Sequence, residues 1–150
     1  MGTAAARFLA ATGHQVAGFE QFSLDHDRGS SYGGSRIIRK VYPDALYASL
    51  MEAVYPLWSE LEEESGEALF LRCGGFFFGP TAHPAMDATE QALRKVGVPF
   101  ETLAPVAARA RFPFRLRDDE YGIFEPQSGL LRASACVLAN DLQPVKCAFF

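Results

Sequence analysis

Four cationic residues lie within a short stretch that is rich in glycine and serine: Arg28, Arg36, Arg39 and Lys40. No acidic residue lies between Asp27 and Asp44. Guanidinium groups bind anions, and the backbone N–H groups of glycine-rich turns also point at bound phosphate. The stretch therefore indicates an anion-binding loop, and a solvated basic loop is the alternative that these residues leave open.

The first 20 residues match the second half of a dinucleotide-binding βαβ unit. Gly2 opens an Ala-rich segment, and Glu20 follows 18 positions later. In the pattern GxGxxG the third glycine allows close helix–strand packing, and an acid about 20 residues later accepts hydrogen bonds from the ribose. The first strand and the first two glycines of such a unit would precede Met1. An ordinary Ala-rich helix remains the alternative.

The other residues that could do chemistry are scattered. The three histidines are far apart and lack a paired acid or cysteine, so they predict neither a metal site nor a catalytic triad: His14, His26 and His83. The three cysteines have no CxxC spacing and favour reduced thiols over a zinc site or a disulfide scaffold: Cys73, Cys136 and Cys147. We expect Cys136 to be a small core residue.

Composition places the chain among ordinary globular domains. Its 150 residues are 49% hydrophobic and 21% charged, and 14 basic against 18 acidic residues give a net charge of −4. An acidic chain disfavours a general nucleic-acid surface, and no apolar run approaches the roughly 20 residues that a membrane helix needs. The amino terminus lacks the pattern of a signal peptide. We expect a soluble, cytoplasmic chain.

Hydrophobic periodicity and turn residues predict an alternation of helices and strands, hence a mixed α/β (α+β) fold. Helices are predicted over residues 2–13, 44–64, 84–96, 105–112 and 133–140. Strands are predicted over 14–20, 69–78 and 98–103, and two short strands, 121–124 and 130–131, flank a hairpin-like connection. Residues 21–35 are predicted as a loop, and the state of 35–42 is left open.

Three segments of the chain resemble a known family. They are GFEQF (18–22), DRGSSYGGSRIIRKVY (27–42) and IFEPQSGLL (123–131). The second is the specific one, because its pattern GSxxGxSRIIRxxY is long and unusual. In this order they resemble the amino-terminal part of the monomeric sarcosine oxidase family, which includes N-methyltryptophan and pipecolate oxidases. The resemblance runs from Gly2 to about Leu138, and residues 139–150 form an unmatched tail.

The resemblance implies an FAD-dependent oxidation of a secondary or tertiary amino acid. Electrons leave the C–N bond for the flavin, the imine hydrolyses, and oxygen is reduced to hydrogen peroxide. The implied fold is D-amino-acid-oxidase-like, with a Rossmann-like FAD-binding domain and a second, mixed-sheet substrate domain. On this chain we expect part of the FAD domain at about 1–65 and part of the substrate domain at about 66–132.

The resemblance also carries roles onto single positions. Gly2 corresponds to the third fingerprint glycine and Glu20 to the ribose-binding acid. Arg36 and Arg39 are the candidate catalytic residues, with Arg36 beside the flavin and Arg39 at the substrate carboxylate, which a guanidinium binds in a fork. The other implied FAD contacts are Gln21, Ser30 and Ser35. No metal ligand is implied.

Departures from the family pattern qualify this interpretation. Tyr32 stands where some members have a histidine beside the flavin, and the cysteine that holds FAD covalently lies far downstream in the family. We therefore expect an amino-terminal fragment that is inactive by itself, and a non-catalytic remnant or interaction module is the alternative. The implied partners are an amino acid and oxygen, with neither nucleic acid nor membrane, in a family that is often monomeric.

Overall fold

The computed structural model describes residues 2–141 and 147–149. Its helices are α1 (Gly2–Ala11), α2 (Ala45–Ser65), α3 (Pro84–Val96), α4 (Pro105–Arg111) and α5 (Ala133–Asp141). Its strands are β1 (Val16–Gly18), β2 (Arg36–Ile38), β3 (Phe70–Leu71), β4 (Gly75–Pro80), β5 (Glu101–Leu103), β6 (Glu120–Glu125), β7 (Gly129–Leu131) and β8 (Cys147–Phe149).

The chain divides into two compact units, each built from separate parts of the sequence. The first unit comprises Met1–Arg36, Leu57–Leu71 and Leu130–Phe150, and the second comprises Ile37–Pro56 and Arg72–Gly129. The sequence analysis predicted a boundary near residue 66 between a part of the FAD domain and a part of the substrate domain. That assignment of functions to the two parts stays a prediction.

A parallel pair of strands organises the first unit. Strand β1 pairs with β8 in the register Val16↔Cys147 to Gly18↔Phe149. Helix α1 packs against both β1 and α5, and β3 pairs antiparallel with β7. Helix α1 ends at a left-handed glycine, Gly13, whose φ is 90°. This turn directs the chain into β1, so the start of the helix and the end of the strand lie on one side of the unit.

The second unit contains an antiparallel sheet in the order β4–β6–β5. Its core is made by one side of α3 and one face of the sheet, with Met86, Leu93, Val98 and Ile123 buried together. Helix α3 is amphipathic and capped at both ends, by the His83 side chain and by left-handed Gly97. The cap residues explain why the predicted bounds of this helix agree with the observed ones.

The opposite face of this sheet is aromatic. Rings from two strands and the segment after α4 meet there with centroids 5.0–6.2 Å apart: Phe76, Phe78, Phe112, Phe114 and Phe124. The Phe76 ring lies directly over Gly122, where an added Cβ would be 1.9 Å from the ring. Gly122 is therefore required by close approach.

The mixed α/β class and all five predicted helices are confirmed within the described residues. The single strand predicted over 69–78 is wrong: it is two strands, β3 and β4, that belong to different sheets. Gly74 breaks it, because its φ of 78° cannot continue an extended strand. The hairpin-like connection is also wrong, since β6 pairs with β4 and β5 whereas β7 pairs with β3.

Helix α2 runs through Pro56, at which a kink was predicted. The Asp44 carboxylate accepts the N–H of Leu46 at 2.8 Å and so caps the helix as expected. Even this 21-residue helix is not apolar enough to cross a membrane, and the same is true of the other helices of the described residues.

Candidate functional site

A cavity of about 450 Å³ opens in the first unit at the amino end of α1 and the carboxyl end of β1. Gly2 and Thr3 line it from the helix, and Gly18 and Glu20 line it from the strand. The first N–H groups of a helix have no partner within the helix, so this position suits an anion such as phosphate. The structure thus brings Gly2 and Glu20 to one cavity, as the fingerprint pattern requires.

Glu20 is held as an ionised carboxylate at this cavity. Its Oε1 accepts the N–H of Phe22 at 3.0 Å, and this bond, together with the nearby His26, lowers the pKa of Glu20. Its Oε2 lies 3.5 Å from Nε2 of His26. An ionised carboxylate accepts hydrogen bonds only, which suits it to a pair of sugar hydroxyl groups.

The predicted strand over 14–20 is shorter in the structure, where β1 covers only Val16–Gly18. Glu20 therefore lies two residues beyond the strand, in the loop rather than in the ladder. Its role as a ribose ligand stays a prediction.

Gly2 lines the cavity, but close packing does not require it there. A Cβ added to Gly2 would meet no atom within 4 Å. The structure therefore supplies no packing reason for a glycine at this position, and the match to the third fingerprint glycine rests on sequence order alone.

A second cavity of about 320 Å³ lies on the other side of the α1 start in the same unit. Ser30 and Arg36 line it together with Trp58 and Cys136. Thr3 lines both cavities, so they meet at the first turn of α1. The structure thus gathers four of the predicted site residues, Gly2, Glu20, Ser30 and Arg36, around one helix end.

Most of the N–H groups of the Arg36 side chain donate hydrogen bonds to the loop that precedes it. Its guanidinium donates to the carbonyl of Ser30, with Nε at 2.8 Å, to that of Tyr32 at 2.9 Å and to that of Ser35 at 3.0 Å. Three carbonyls that point inward at one planar group hold the loop in a closed turn. In this structure Arg36 therefore stabilises the conformation of residues 30–36.

Two other predicted positions have few contacts. Ser35 and Gln21 are exposed, and neither side chain lines the two cavities described above. Their contacts with FAD stay predictions. Tyr32 is 49% exposed and lines the first cavity.

In the second unit Arg39 and Lys40 are neighbours in sequence with opposite environments. Arg39 is exposed, its guanidinium 5.2 Å from the Tyr42 ring centroid, and it forms no ion pair with a carboxylate of the described residues. Lys40 is only 4% exposed, and its Nζ lies 2.6 Å from both Glu52 and Gln127. Lys40 is thus committed to contacts within the protein, whereas the role of Arg39 at a substrate carboxylate stays a prediction.

A buried carboxylate beside this pair escaped the sequence analysis. Glu125 is 0% exposed and accepts from the Gln127 N–H at 2.7 Å and from the Ser128 hydroxyl. Burial and the nearby Glu125 raise the pKa of Tyr55. The sequence signal at this position was the turn Glu125–Gly129. It predicted a connection between strands, and it gave no indication that the Glu125 carboxylate is buried.

The sequence analysis also missed the contact of His26 with Glu20, because it considered the histidines only as metal ligands or members of a catalytic triad. Within the described residues no group of three His, Cys, Asp or Glu side chains is placed to hold a metal ion. The contact of His26 with Glu20 spans six residues of an irregular loop, and no periodic pattern predicts such a contact.

Comparison with known proteins agrees with this geometry. Residues 1–142 match the family model described as FAD dependent oxidoreductase. The chain is 36% identical to the peroxisomal sarcosine oxidase of Mus musculus over 140 residues and 35% identical to the monomeric sarcosine oxidase of Streptomyces avermitilis over 142 residues. It is 31% identical to the N-methyl-L-tryptophan oxidase of Yersinia pestis over 139 residues.

Solved structures show the same fold. NikD, described as an unusual amino acid oxidase essential for nikkomycin biosynthesis, superposes in its open form with a TM-score of 0.84 at 25% identity. It is matched over 99% of this chain and 39% of its own. The L-proline dehydrogenase of P. horikoshii superposes with a TM-score of 0.83 at 20% identity, over 99% of this chain and 40% of its own.

The matches cover this chain almost fully and the relatives only in part. The aligned region is 93% of this chain but 35% and 37% of the two sarcosine oxidases, and 91% of this chain but 38% of the N-methyl-L-tryptophan oxidase. The chain thus spans little more than a third of the length of its curated relatives.

Proposed function

We propose, since this chain belongs to the FAD dependent oxidoreductase family, that it forms the part of an amine oxidase that holds the adenosine end of FAD. The proposed substrate is a secondary or tertiary amino acid, such as sarcosine or another N-methyl amino acid. The observation that carries the proposal is the cavity that places ionised Glu20 beside the open N–H groups of α1.

The residues of the first unit fit FAD. The amino end of α1 provides donors for a pyrophosphate, and Glu20 provides acceptors for ribose hydroxyl groups. Bound FAD supplies the redox chemistry, because it accepts the electrons of the C–N bond and passes them to oxygen. The protein supplies orientation, and Arg36 does so by holding the loop that carries Ser30 and Ser35.

Arg39 is the proposed ligand of the substrate carboxylate. Its guanidinium is exposed and stacks beside Tyr42, which limits its motion without using its N–H donors. A bidentate contact with a carboxylate would fix the direction of the Cα–N bond and so lower the entropy cost of the oxidation.

The alternative is a chain that has kept the fold without the chemistry. We expect the 150-residue chain alone to show no oxidase activity, and we place it in the cytoplasm. A flavin absorbance spectrum of the purified chain separates the two cases, and a peroxide assay with sarcosine tests the expected inactivity.

The substrate role is tested in a protein that extends this chain to the length of its relatives. Arg39→Ala should lower kcat/KM for the amino acid about ten- to a hundredfold, since a charge-assisted contact contributes about 1.5–3 kcal/mol. Arg39→Lys should be impaired less, because it keeps the charge and loses the fork. The decarboxylated amine should be oxidised equally by all variants.

Arg109→Ala is the matched control, since Arg109 is an exposed arginine in α4 that lines neither cavity of the first unit. Equal losses on the amino acid and on the amine would show that Arg39 does not bind the carboxylate. The substrate proposal would then be withdrawn.

A further inference from the structure

We propose that His26 is a positioning residue for Glu20, which it steers toward the nucleotide from the rim of the first cavity. This role rests on the proposed function, in which Glu20 receives the ribose hydroxyl groups. It is carried by the contacts that fix the imidazole ring on three sides and leave one nitrogen facing the carboxylate.

The first contact fixes the tautomer. The backbone N–H of Arg28 donates to Nδ1 of His26 at 3.1 Å. A neutral imidazole has one N–H and one acceptor nitrogen, so an Nδ1 that accepts leaves the proton on Nε2. That nitrogen lies 3.5 Å from Oε2 of Glu20. His26 therefore presents a donor to the carboxylate.

Two further contacts fix the ring plane. The Phe22 ring meets the imidazole edge to face, with centroids 5.3 Å apart and an interplanar angle of 67°. Gly29 leaves room for the ring, because a Cβ added there would be only 3.3 Å from Cε1 of His26. The Arg28 guanidinium lies over the Phe22 ring at 4.4 Å from its centroid. The ring is thus held by its neighbours even though it lies near the surface.

Glu20 is then held at both oxygens. Oε1 takes the Phe22 N–H, and Oε2 faces His26. Each carboxylate oxygen has two lone-pair directions, so the group can still accept from a ligand besides these contacts and a weaker one from the Gln21 N–H. At 3.5 Å the His26 contact is longer than an ordinary N–H···O bond, so it orients the group more than it binds it. The charged neighbour Asp25 lines the same cavity and adds negative charge there.

The tautomer is measured directly on the 150-residue chain by ¹⁵N NMR of its histidines at neutral pH, without nucleotide. His26 should show the Nε2–H tautomer. His83 is an internal reference, because its Nδ1 likewise accepts a backbone N–H, that of Ala85 at 3.2 Å. A proton on Nδ1 of His26 would overturn the proposal.

Two substitutions distinguish the role of Nδ1 of His26 from that of Nε2. His26→Asn keeps an acceptor near Nδ1 for the Arg28 N–H and removes the donor to Glu20. His26→Gln places an amide donor near Nε2 and removes the acceptor. Glu20 is followed by ¹³C NMR of its carboxyl carbon: its pKa should rise toward the ordinary value in His26→Asn and rise less in His26→Gln. Equal shifts in the two variants would contradict the proposal.

Nucleotide binding is measured with ADP as the probe. His26→Asn should weaken ADP binding about three- to tenfold, the range of one modest hydrogen bond, and His26→Gln should weaken it less. Unchanged ADP binding in His26→Asn would overturn the role of His26. Failure of the unsubstituted chain to bind ADP would instead count against the proposed function, whatever the NMR shows.

Discussion

The Nε atom of Arg36 lies 2.8 Å from the carbonyl oxygen of Ser30, six residues earlier in the chain. The same guanidinium also reaches the carbonyls of Tyr32 and Ser35. One planar group thus pairs three backbone carbonyls of an irregular loop. The glycine- and serine-rich segment is ordered by its own arginine.

This contact predicts that Arg36→Lys loosens the loop although it keeps the charge. A lysine cannot reach three carbonyls at once, so the free energy of unfolding should fall by about 1 kcal/mol. Limited proteolysis should cut within 29–36 faster than in the unsubstituted chain. Arg28→Lys serves as the control in the same loop, and equal cleavage rates in the two variants would contradict the assignment.

The buried ammonium of Lys40 predicts a larger effect at Glu52. The Lys40 side chain is 5% exposed and the Glu52 side chain 49%, so Glu52→Gln leaves a buried charge with a neutral partner. Unfolding by urea should show a loss of about 2 kcal/mol, below the value for a fully buried pair because Glu52 is half exposed. Glu63→Gln, an exposed change in the same helix, should cost less than about 0.5 kcal/mol.

The close approach at Gly122 predicts a packing defect on the aromatic face of the second unit. In Gly122→Ala the new Cβ would overlap the Phe76 ring, and the Tm should fall with a destabilisation of about 1–3 kcal/mol. Gly34→Ala is the control, because a Cβ there meets no atom within 4 Å. A smaller residue at position 76 should restore part of the loss, and strict additivity of Gly122→Ala with Phe76→Leu would rule out this contact as the cause.

The two cysteines whose side chains the structure describes should differ in reactivity. Burial, with a smaller effect of Glu62, raises the pKa of Cys136 to about 11, whereas Cys73 is exposed. A higher thiol pKa means less thiolate at a given pH, about a hundredfold less at pH 8 than for an ordinary thiol. Iodoacetamide should therefore modify Cys73 first and Cys136 much more slowly.

Peptide mapping by mass spectrometry measures the rate of alkylation at Cys73 and at Cys136 separately. The rate at Cys136 should rise with pH up to about 11, because the thiolate fraction grows toward its pKa. Alkylation of Cys136 as fast as Cys73 in the native chain at pH 8 would contradict the burial.

Local signals in the sequence predicted the elements well where a cap or a helical period marked them. Helix α3 begins after His83 and ends at Gly97, and both residues act through contacts within a few positions. Such contacts are encoded locally, so a single sequence reveals them. The strand before Glu20 was predicted less well, because β1 ends at Gly18 and Glu20 lies in the following loop.

Local sequence patterns did not predict which strands pair with each other. The apolar run 69–78 looked continuous, yet a left-handed Gly74 sends its two halves into different sheets. The short strands on either side of the turn 125–129 were close in sequence and were paired in the prediction for that reason alone. Which edge a strand joins depends on the whole set of available partners, and that set exists only in the folded chain.

The sequence by itself determined the family, the mixed fold and the identity of the charged residues, because these depend on residue types in a fixed order. Only the tertiary structure decided what each charge does. It buried Lys40 against Glu52, turned Arg36 onto its own loop, left Arg39 exposed and set His26 against Glu20. The physical reason is that the fate of a charge is set by its solvation and its partners in space, and in an irregular loop neither follows from spacing along the chain.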